Sequence, residues 1–205
     1  MRRARAGAGG LLPGSHDDPN RQRLRLMLID QFNELIDPVI RAGGSMLEIG
    51  EEFREPPLDV LRYYHRPVSM NWVPIIGRAH SVVALVQQPV DIDGSKAGQE
   101  RVMTRLAMAV NGRFPPWRGL VIGLTAVILT PEPIGPNDDT TLGEVLEVKL
   151  KRMRVVPFGL IRVNLGQEAV ALAIHSSPDG LFPEPVLVGD ALCEHFRRYV
   201  PLIDL

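Results

Sequence analysis

The sequence predicts an α+β fold, with a mostly antiparallel sheet of about five strands, helices packed mainly on one face, and the order α-β-β-α-β-β-β-α. Three observations lead to this prediction. An uncharged run between prolines, residues 119–130, is typical of a strand buried on both faces. Segments 158–165 and 168–175 meet at a glycine-containing turn, as the two strands of a hairpin do. Apolar residues at helical spacing predict amphipathic helices over residues 21–42, 96–111 and 186–199.

The run Gly119–Thr130 is the predicted centre of the sheet. Its β-branched residues and flanking prolines favour a strand over a helix, and it is far shorter than the ~20 residues that span a bilayer. We expect it to be an interior strand whose neighbours come from residues 79–87 and 142–154. No GK[ST] sequence follows its glycines, so we expect neither glycine to bind phosphate.

Two short helical turns are predicted before the sheet begins. The sequence Ser45-Met-Leu-Glu48 has the form of a capping box, which predicts a helical turn over residues 46–53. A second short helix is predicted over residues 58–65, because prolines bound this segment on both sides. Further along the chain, Ser95 is the expected N-cap of the helix at 96–111.

Further strands are predicted on both sides of the central run. Residues 68–76 and 79–87 are predicted strands, joined by a two-residue turn at Gly77-Arg78. Apolar and charged residues alternate over 142–154, which predicts a strand with one exposed face. A strand of this kind favours antiparallel pairing.

The chain of 205 residues is expected to form one α+β domain over residues 21–205, preceded by a flexible arm, residues 1–20, that is rich in arginine and glycine. A formal net charge of -1 argues against a dedicated nucleic-acid-binding protein. The single cysteine, Cys193, excludes an internal disulfide and a cysteine-based metal cluster. No stretch resembles a membrane span or a signal peptide, so we expect a cytoplasmic protein. The arginine-rich start, without an acidic residue before Asp17, leaves organelle import as the alternative.

An acidic segment precedes the helix predicted at residues 96–111. Its sequence, Asp91-Ile-Asp93-Gly94-Ser95, resembles the first motif of haloacid-dehalogenase phosphatases, in which the first aspartate attacks phosphorus. In that family the motif directly follows a buried strand, whereas Gln87-Gln88-Pro89 intervenes here. An acidic turn that caps the following helix is therefore the interpretation that we favour.

A second acidic set lies around residue 140. Asp138, Asp139, Glu147 and Lys149 resemble the acidic core of restriction-endonuclease-like nucleases, in which carboxylates hold Mg²⁺ and a lysine assists the attacking water. This chemistry requires the carboxylates to converge within a few Å. The alternative is a ladder of charges along the exposed face of a strand.

The densest aromatic patch comprises Tyr63, Tyr64 and Trp72, with His65 beside the two tyrosines. These residues are candidates to line a ligand pocket or a partner surface. The alternative is that they cover the end of the hydrophobic core, which is the commoner role of such residues.

The leading hypothesis is a non-enzymatic interaction or scaffold protein that dimerises or docks into a larger assembly, through its sheet edge or final helix. The predicted order of elements is similar to that of the roadblock and longin group of dimerising scaffolds. We expect a protein partner or a homo-oligomer, with nucleic acid contacted only through the N-terminal arm, and we assign no cofactor, metal or catalytic residue. The alternatives are a metal-dependent nuclease or phosphoesterase and a small-ligand-binding module. The predicted partner-binding residues are Arg2, Arg3, Arg5, Tyr63, Tyr64 and Trp72.

Overall fold

A computed structural model describes residues 19–48, 58–68, 78–114, 120–147, 150, 154–177 and 180–198. Within these residues the chain forms four helices and seven strands. The helices are α1 (Pro19–Ala42), α2 (Lys96–Arg113), α3 (Asp138–Leu146) and α4 (Glu184–His195). The strands are β1 (Met46–Glu48), β2 (Asp59–Val68), β3 (Arg78–Gln87), β4 (Leu120–Leu129), β5 (Val155–Asn164), β6 (Ala169–Ile174) and β7 (Arg197–Arg198).

All seven strands belong to one sheet and lie in it in sequence order. The three central strands, β3, β4 and β5, are parallel to one another, and α2 and α3 connect them. β2 is antiparallel to β3, and β6 is antiparallel to β5. The short strands β1 and β7 form the two edges. Because β3, β4 and β5 run in the same direction, their carboxyl ends meet at one end of the sheet.

Helices cover both faces of the sheet. Ile122 and Leu124 of β4 face one side of the sheet, where they form one core with buried residues of α2 and α3. Val127 and Leu129 of β4 face the other side, where buried residues of α1 and α4 cover them. Successive residues of a strand point to opposite faces, so covering both faces explains the unbroken apolar sequence of β4. None of the described helices is long and apolar enough to cross a membrane.

The α+β class is confirmed, and the order of elements agrees with the prediction in outline. The sheet is mixed, with parallel pairing at its centre, and two helices lie on each face where the sequence predicted mainly one. The predicted interior strand and the predicted hairpin are present as β4 and as β5 with β6. β4 pairs with β3, as predicted, but its second neighbour is β5.

The predicted strand at 142–154 is wrong over residues 142–146, because residues 138–146 form helix α3. Residues 148–149 and 151–153 of the predicted strand lie outside the described residues. Leu142, Val145 and Leu146 are buried, and their spacing of three and four residues is that of one helix face. Two aspartates in the first turn favour a helix by interacting with its positive N-terminal end. The alternation that suggested a strand begins only at Leu146, where the helix ends.

The short helices predicted at 46–53 and 58–65 are wrong where the structure describes them, because β1 forms at residues 46–48 and β2 at residues 59–68. Residues 49–53 lie outside the described residues. The hydroxyl of Ser45 donates to the carboxylate of Glu184 at 3.1 Å, so it does not cap a helix. Strand pairing with β3 supplies the backbone hydrogen bonds of β2. The strand predicted at 68–76 contributes only Val68 to β2, and residues 69–77, with the predicted turn at Gly77, lie outside the described residues.

Tyr63 and Tyr64 are both buried, on opposite faces of β2. The hydroxyl of Tyr64 donates to the carboxylate of Asp37 in α1 at 3.0 Å, and Arg62 reaches the same oxygen at 3.3 Å. Both tyrosines therefore belong to the core, which disagrees with the predicted partner-binding role. Arg2, Arg3, Arg5 and Trp72 lie outside the described residues.

Because the Tyr64 hydroxyl is buried, we predict a loss of stability at alkaline pH. Burial raises the pKa of Tyr64 to about 12, from an ordinary value of 10.0. The unfolded chain loses this proton near pH 10 and the folded protein does not, so stability is complete below about pH 10 and falls as the pH rises to about 12, by about 2 kcal/mol. Urea unfolding at pH values between 8 and 12 measures this decrease in stability, since that range brackets the ordinary and the raised pKa of Tyr64. In Tyr64→Phe the decrease should be smaller by that amount, and an unchanged decrease would exclude Tyr64 as its source.

Candidate functional site at the carboxyl ends of the parallel strands

Polar side chains are buried where the parallel strands end. Gln87, Leu129 and Val163 are paired across β3, β4 and β5, and the next residue of each strand is polar. These three residues, with Arg162 of β5 and Gln99 in the first turns of α2, are here called the polar layer, and all are at least nine-tenths buried. The polar layer consists of Gln88, Gln99, Thr130, Arg162 and Asn164.

Arg162 is the only charged member of the polar layer, and its side chain is 3% exposed. Its guanidinium donates to Asp138 at 3.0 Å and to the Thr130 hydroxyl at 3.4 Å. It also lies 3.5 Å from the carboxylate of Glu132. A buried guanidinium requires such partners, because removing its charge from water is unfavourable. Arg162 therefore joins β5, the end of β4 and the start of α3.

The segment between β4 and α3, residues 130–137, is attached to the sheet at several points. Asn164 donates to the carbonyl oxygens of Pro131 and Glu132, at 3.3 and 2.8 Å. The side-chain amide of Gln167 binds both backbone groups of Ile134, accepting at 2.8 Å and donating at 3.2 Å. The backbone of this proline-containing segment is therefore fixed by side chains of the β5–β6 hairpin.

The segment between β3 and α2, residues 88–95, lies beside segment 130–137. Ser95 caps α2 as predicted, accepting from the backbone N–H of Gly98 at 3.1 Å, and its hydroxyl donates to Asp93 at 2.7 Å. This hydrogen bond holds the pKa of Asp93 below its ordinary value. Gln88 donates to the carbonyl of Ile92 at 2.9 Å, which closes the turn. The segment is thus the acidic helix-capping turn that the sequence favoured.

One salt bridge links the two helices that begin at this end of the sheet. Lys96, at the start of α2, donates to Glu144 of α3 at 2.7 Å. The hydrogen bond raises the pKa of the Lys96 ammonium. Both side chains are about half exposed, at 50% and 54%, so this pair contributes little to stability.

Some polar atoms of the layer have no hydrogen-bond partner among the described residues. These atoms are the side-chain oxygen of Gln88, both polar atoms of the Gln99 side chain and the Nε of Arg162. A buried polar atom without a partner is unfavourable by about 1–3 kcal/mol, and such atoms are rare in native proteins. The polar layer therefore contains hydrogen-bonding capacity that the described residues do not use.

Segment 88–95 approaches α2 closely at Gly98. A Cβ atom at Gly98 would overlap the backbone oxygen of Asp93, which has no freedom to move away without opening the turn. Gly98→Ala should therefore lower the free energy of unfolding by about 2 kcal/mol or more. Gly112→Ala is the matched control in the same helix, because nothing lies within 4 Å of its Cβ position. The control should be neutral or stabilising by up to about 1 kcal/mol. Equal effects of the two substitutions in urea unfolding would contradict the close contact.

The structure does not bring together the residues of the predicted acidic core. Asp138 accepts from Arg162, and Asp139 accepts from the backbone N–H of Leu172 in β6 at 2.8 Å. Glu147 follows the last residue of α3, so about 13 Å of helix separates it from Asp138. Lys149 lies outside the described residues. Within the described residues, no group of three or more His, Cys, Asp or Glu side chains is placed to hold a metal ion.

His65 lies at the opposite end of the sheet from the polar layer. Its Nε2 is 2.6 Å from Nδ1 of His80 on β3, and the ring of Phe114 contacts both imidazoles. The two ring centroids are 4.8 Å apart, so the facing nitrogens lie nearly on the line between the rings. This arrangement is that of an N–H···N hydrogen bond between neighbouring strands. Of the predicted aromatic patch, Tyr63 and Tyr64 are buried in the core, His65 pairs with His80, and Trp72 lies outside the described residues.

The polar layer was not predicted from the sequence. One signal was available, because Arg162 is the only charged residue in the apolar strand Val155–Asn164. A charge inside a buried strand must be neutralised by partners, which points to a site. Gln99 and Asn164 gave no such signal, since glutamine and asparagine are common on surfaces.

Comparison with known proteins gave no relative from which a role for these residues could be inferred. The chain matched no family model, no curated protein and no solved structure.

Proposed function

We propose that this protein is a non-enzymatic interaction module that docks a protein partner on the surface formed by segments 88–95 and 130–137, here called the carboxyl face. The observation that carries the proposal is the attachment of segment 130–137 to Asn164, Gln167 and Arg162. A surface that is ordered before binding loses less conformational entropy when a partner binds.

The side chains exposed on the carboxyl face are suited to contact with a protein. Val90 is fully exposed at the tip of segment 88–95. Pro131, Pro133 and Pro136 are exposed on the neighbouring segment. Carboxylates flank these apolar groups, at Asp91, Asp93 and Glu132. An apolar centre with a polar rim is the usual composition of a docking surface, and it fits a partner with an apolar pocket and basic flanks.

Within the part of the chain that the structure describes, neither edge of the sheet offers a long open strand for docking. β6 is paired with β7 at its first two residues, and the carboxylate of Asp139 occupies the outward N–H of Leu172. At the other edge β1 covers residues 63–65 of β2. Short and covered edges reduce pairing between sheets. For this reason we place the docking surface at the carboxyl face and not at the sheet edge.

A photo-crosslinking amino acid at position 90 tests the proposal in an extract of the source cells. Position 108 is the matched control, since Met108 is 61% exposed on α2. A partner that crosslinks from position 90 and not from 108 is then purified and titrated against the variants. We expect Val90→Asp to weaken binding at least tenfold, about 1.4 kcal/mol, and Met108→Asp to have little effect. Equal crosslinking at both sites, or equal affinity of the two variants, would refute docking at this face.

A second candidate function is the binding of a small polar ligand at the polar layer. The specific observation is Gln99, whose side-chain amide is fully buried and has no partner among the described residues. Ligands of α/β sheets bind at the carboxyl ends of parallel strands, which is where Gln99 lies.

Gln99→Leu distinguishes this second candidate. Replacing an amide without partners by an apolar group of similar size is expected to be neutral or stabilising in the unliganded protein. A small metabolite that raises the melting temperature of the wild type, and raises that of Gln99→Leu much less, would support a ligand site. Equal shifts in both proteins would contradict it.

A further inference from the structure

Two imidazoles on neighbouring strands, β2 and β3, face each other at the amino end of the parallel strands. The strand register fixes the backbone beneath them, because His65 is opposite Val82 and Pro67 is opposite His80. The two histidines are therefore diagonal neighbours on one face of an antiparallel pair, a separation that ring side chains can bridge. Their facing nitrogens, Nε2 of His65 and Nδ1 of His80, lie 2.6 Å apart.

The histidine pair lies on the face of the sheet that α2 covers. Tyr63, two residues before His65 on the same face of β2, belongs to the core formed with α2. Phe114, the C-cap of α2, packs against both imidazoles, with ring centroids 5.4 Å from His65 and 4.7 Å from His80. Both histidines are only half-buried, so the fold orients the pair without sealing it from solvent.

The facing nitrogens have the chemistry of a metal chelate. In a neutral pair, one proton lies between the two nitrogens, since one ring donates and the other accepts. Loss of this proton to solvent leaves two lone pairs directed at the same point. A metal ion at the usual 2.0–2.1 Å from both nitrogens, with tetrahedral angles, separates them by about 3.3 Å, an opening of about 0.7 Å from the present distance. Rotation about the side-chain bonds of both residues supplies this opening and tilts the rings toward the ion, because the terminal torsion of histidine has a broad energy well.

We propose that His65 and His80 bind a divalent transition-metal ion, of which Zn²⁺ is the probe, as a bridge between β2 and β3. Imidazole nitrogens suit Zn²⁺, Ni²⁺ and Cu²⁺, whereas Mg²⁺ and Ca²⁺ prefer oxygen ligands. No third histidine, cysteine or carboxylate among the described residues joins the pair, so water completes the coordination of the ion. One metal ion enters and one proton leaves to solvent, without any change of oxidation state.

This metal site does not rest on the proposed docking function. Seven residues of β3 separate His80 from Gln87 at the carboxyl face, a distance of about 23 Å along the strand. Val90→Asp should therefore leave the zinc affinity unchanged, and His80→Gln should leave partner binding unchanged. Failure of one proposal is thus distinguishable from failure of the other.

Isothermal titration calorimetry of the full chain with zinc chloride tests the site. We expect a dissociation constant below about 100 μM, so that about 1 mM free Zn²⁺ multiplies the folding equilibrium constant at least about tenfold. His65→Gln and His80→Gln should each weaken binding at least tenfold, because chelation requires both imidazoles. The controls His175→Gln, His195→Gln and Cys193→Ser change exposed residues elsewhere and should leave the affinity unchanged, and magnesium chloride should give no binding.

Nitrogen-15 NMR of the imidazoles in the wild-type protein needs no substitution, so it decides the matter even if a variant fails to fold. Zn²⁺ should shift the resonances of His65 Nε2 and His80 Nδ1 together, with one saturation curve. The proposal is overturned by the absence of saturable binding up to 1 mM Zn²⁺, or by unchanged affinity in either folded histidine variant. It is equally overturned if zinc shifts other nitrogens and leaves these two unchanged.

Discussion

Arg162→Met should lower the free energy of unfolding by about 3 kcal/mol. The guanidinium is 3% exposed and binds Asp138 and Thr130, and Glu132 lies 3.5 Å away. Methionine has a similar shape and no charge, so the substitution leaves Asp138, which is 22% exposed, without its cation. Breaking one side of a buried ion pair typically costs about 3–5 kcal/mol, and partial exposure of both carboxylates places this site at the lower limit. Urea unfolding at neutral pH measures the change.

Two further variants separate the charge of Arg162 from its packing. Asp138→Asn in the Arg162→Met background removes the unpaired carboxylate and should recover part of the lost stability. Arg101→Met is the matched surface control, because Arg101 is 57% exposed and lies 3.9 Å from Asp93. It should change stability by less than about 0.5 kcal/mol. If Arg162→Met changes the free energy of unfolding as little as Arg101→Met does, the charge of Arg162 does not hold the polar layer together.

Glu184→Leu is expected to have a comparable effect on the other face of the sheet. Glu184 is fully buried at the start of α4, where it accepts from Arg66 at 2.6 Å and from Ser45 at 3.1 Å. The substitution leaves the Arg66 guanidinium, which is 20% exposed, with the carbonyl of Leu181 as its remaining hydrogen-bond partner in the described residues. We expect a loss of about 2–4 kcal/mol, measured by urea unfolding.

Double substitution tests the cause of this loss. Arg66→Met/Glu184→Leu removes both charges, so it should be more stable than Glu184→Leu alone, as found generally when apolar residues replace a buried ion pair. Glu194→Leu, an exposed change on the same helix, should have an effect below about 0.5 kcal/mol. A double variant less stable than the single one would show that Arg66 contributes packing and not an unpaired charge.

Elements with a strong and local signal were predicted well from the sequence. β4 is uncharged between prolines, the β5–β6 hairpin has its turn at Gly166, and α2 has Ser95 as its cap. Each of these signals acts over a few residues, so sequence patterns are sufficient to detect it.

Elements were missed where distant contacts decide the structure. Ser45 has the pattern of a helix cap, but Glu184, which follows in the chain by 139 residues, takes its hydroxyl. Residues 142–146 alternate poorly as a strand, and they are helical because α3 must connect two parallel strands. The parallel centre of the sheet follows from this connection. It could not be predicted once that segment was assigned to a strand.

The candidate site was missed for a similar reason. The polar layer is assembled from residues that are 76 positions apart at its extremes, Gln88 and Asn164, and its members have no common motif. Only the strand register places Gln88, Thr130 and Asn164 side by side. The aromatic and acidic patches were conspicuous in the sequence, but Tyr63, Tyr64, Asp138 and Asp139 have structural contacts instead.

Hydrogen exchange at the backbone amides of Glu132 and Ile134 tests most directly whether the carboxyl face is ordered in advance of binding. These amides donate to side chains, the Thr130 hydroxyl at 3.0 Å and the Gln167 carbonyl at 2.8 Å, although they lie outside helices and strands. We predict that both exchange at least about 100-fold more slowly than in an unfolded chain, and that Gln167→Ala removes the protection of Ile134 while α3 stays protected. Exchange of both amides at the unfolded rate in the wild type would contradict a preordered docking surface.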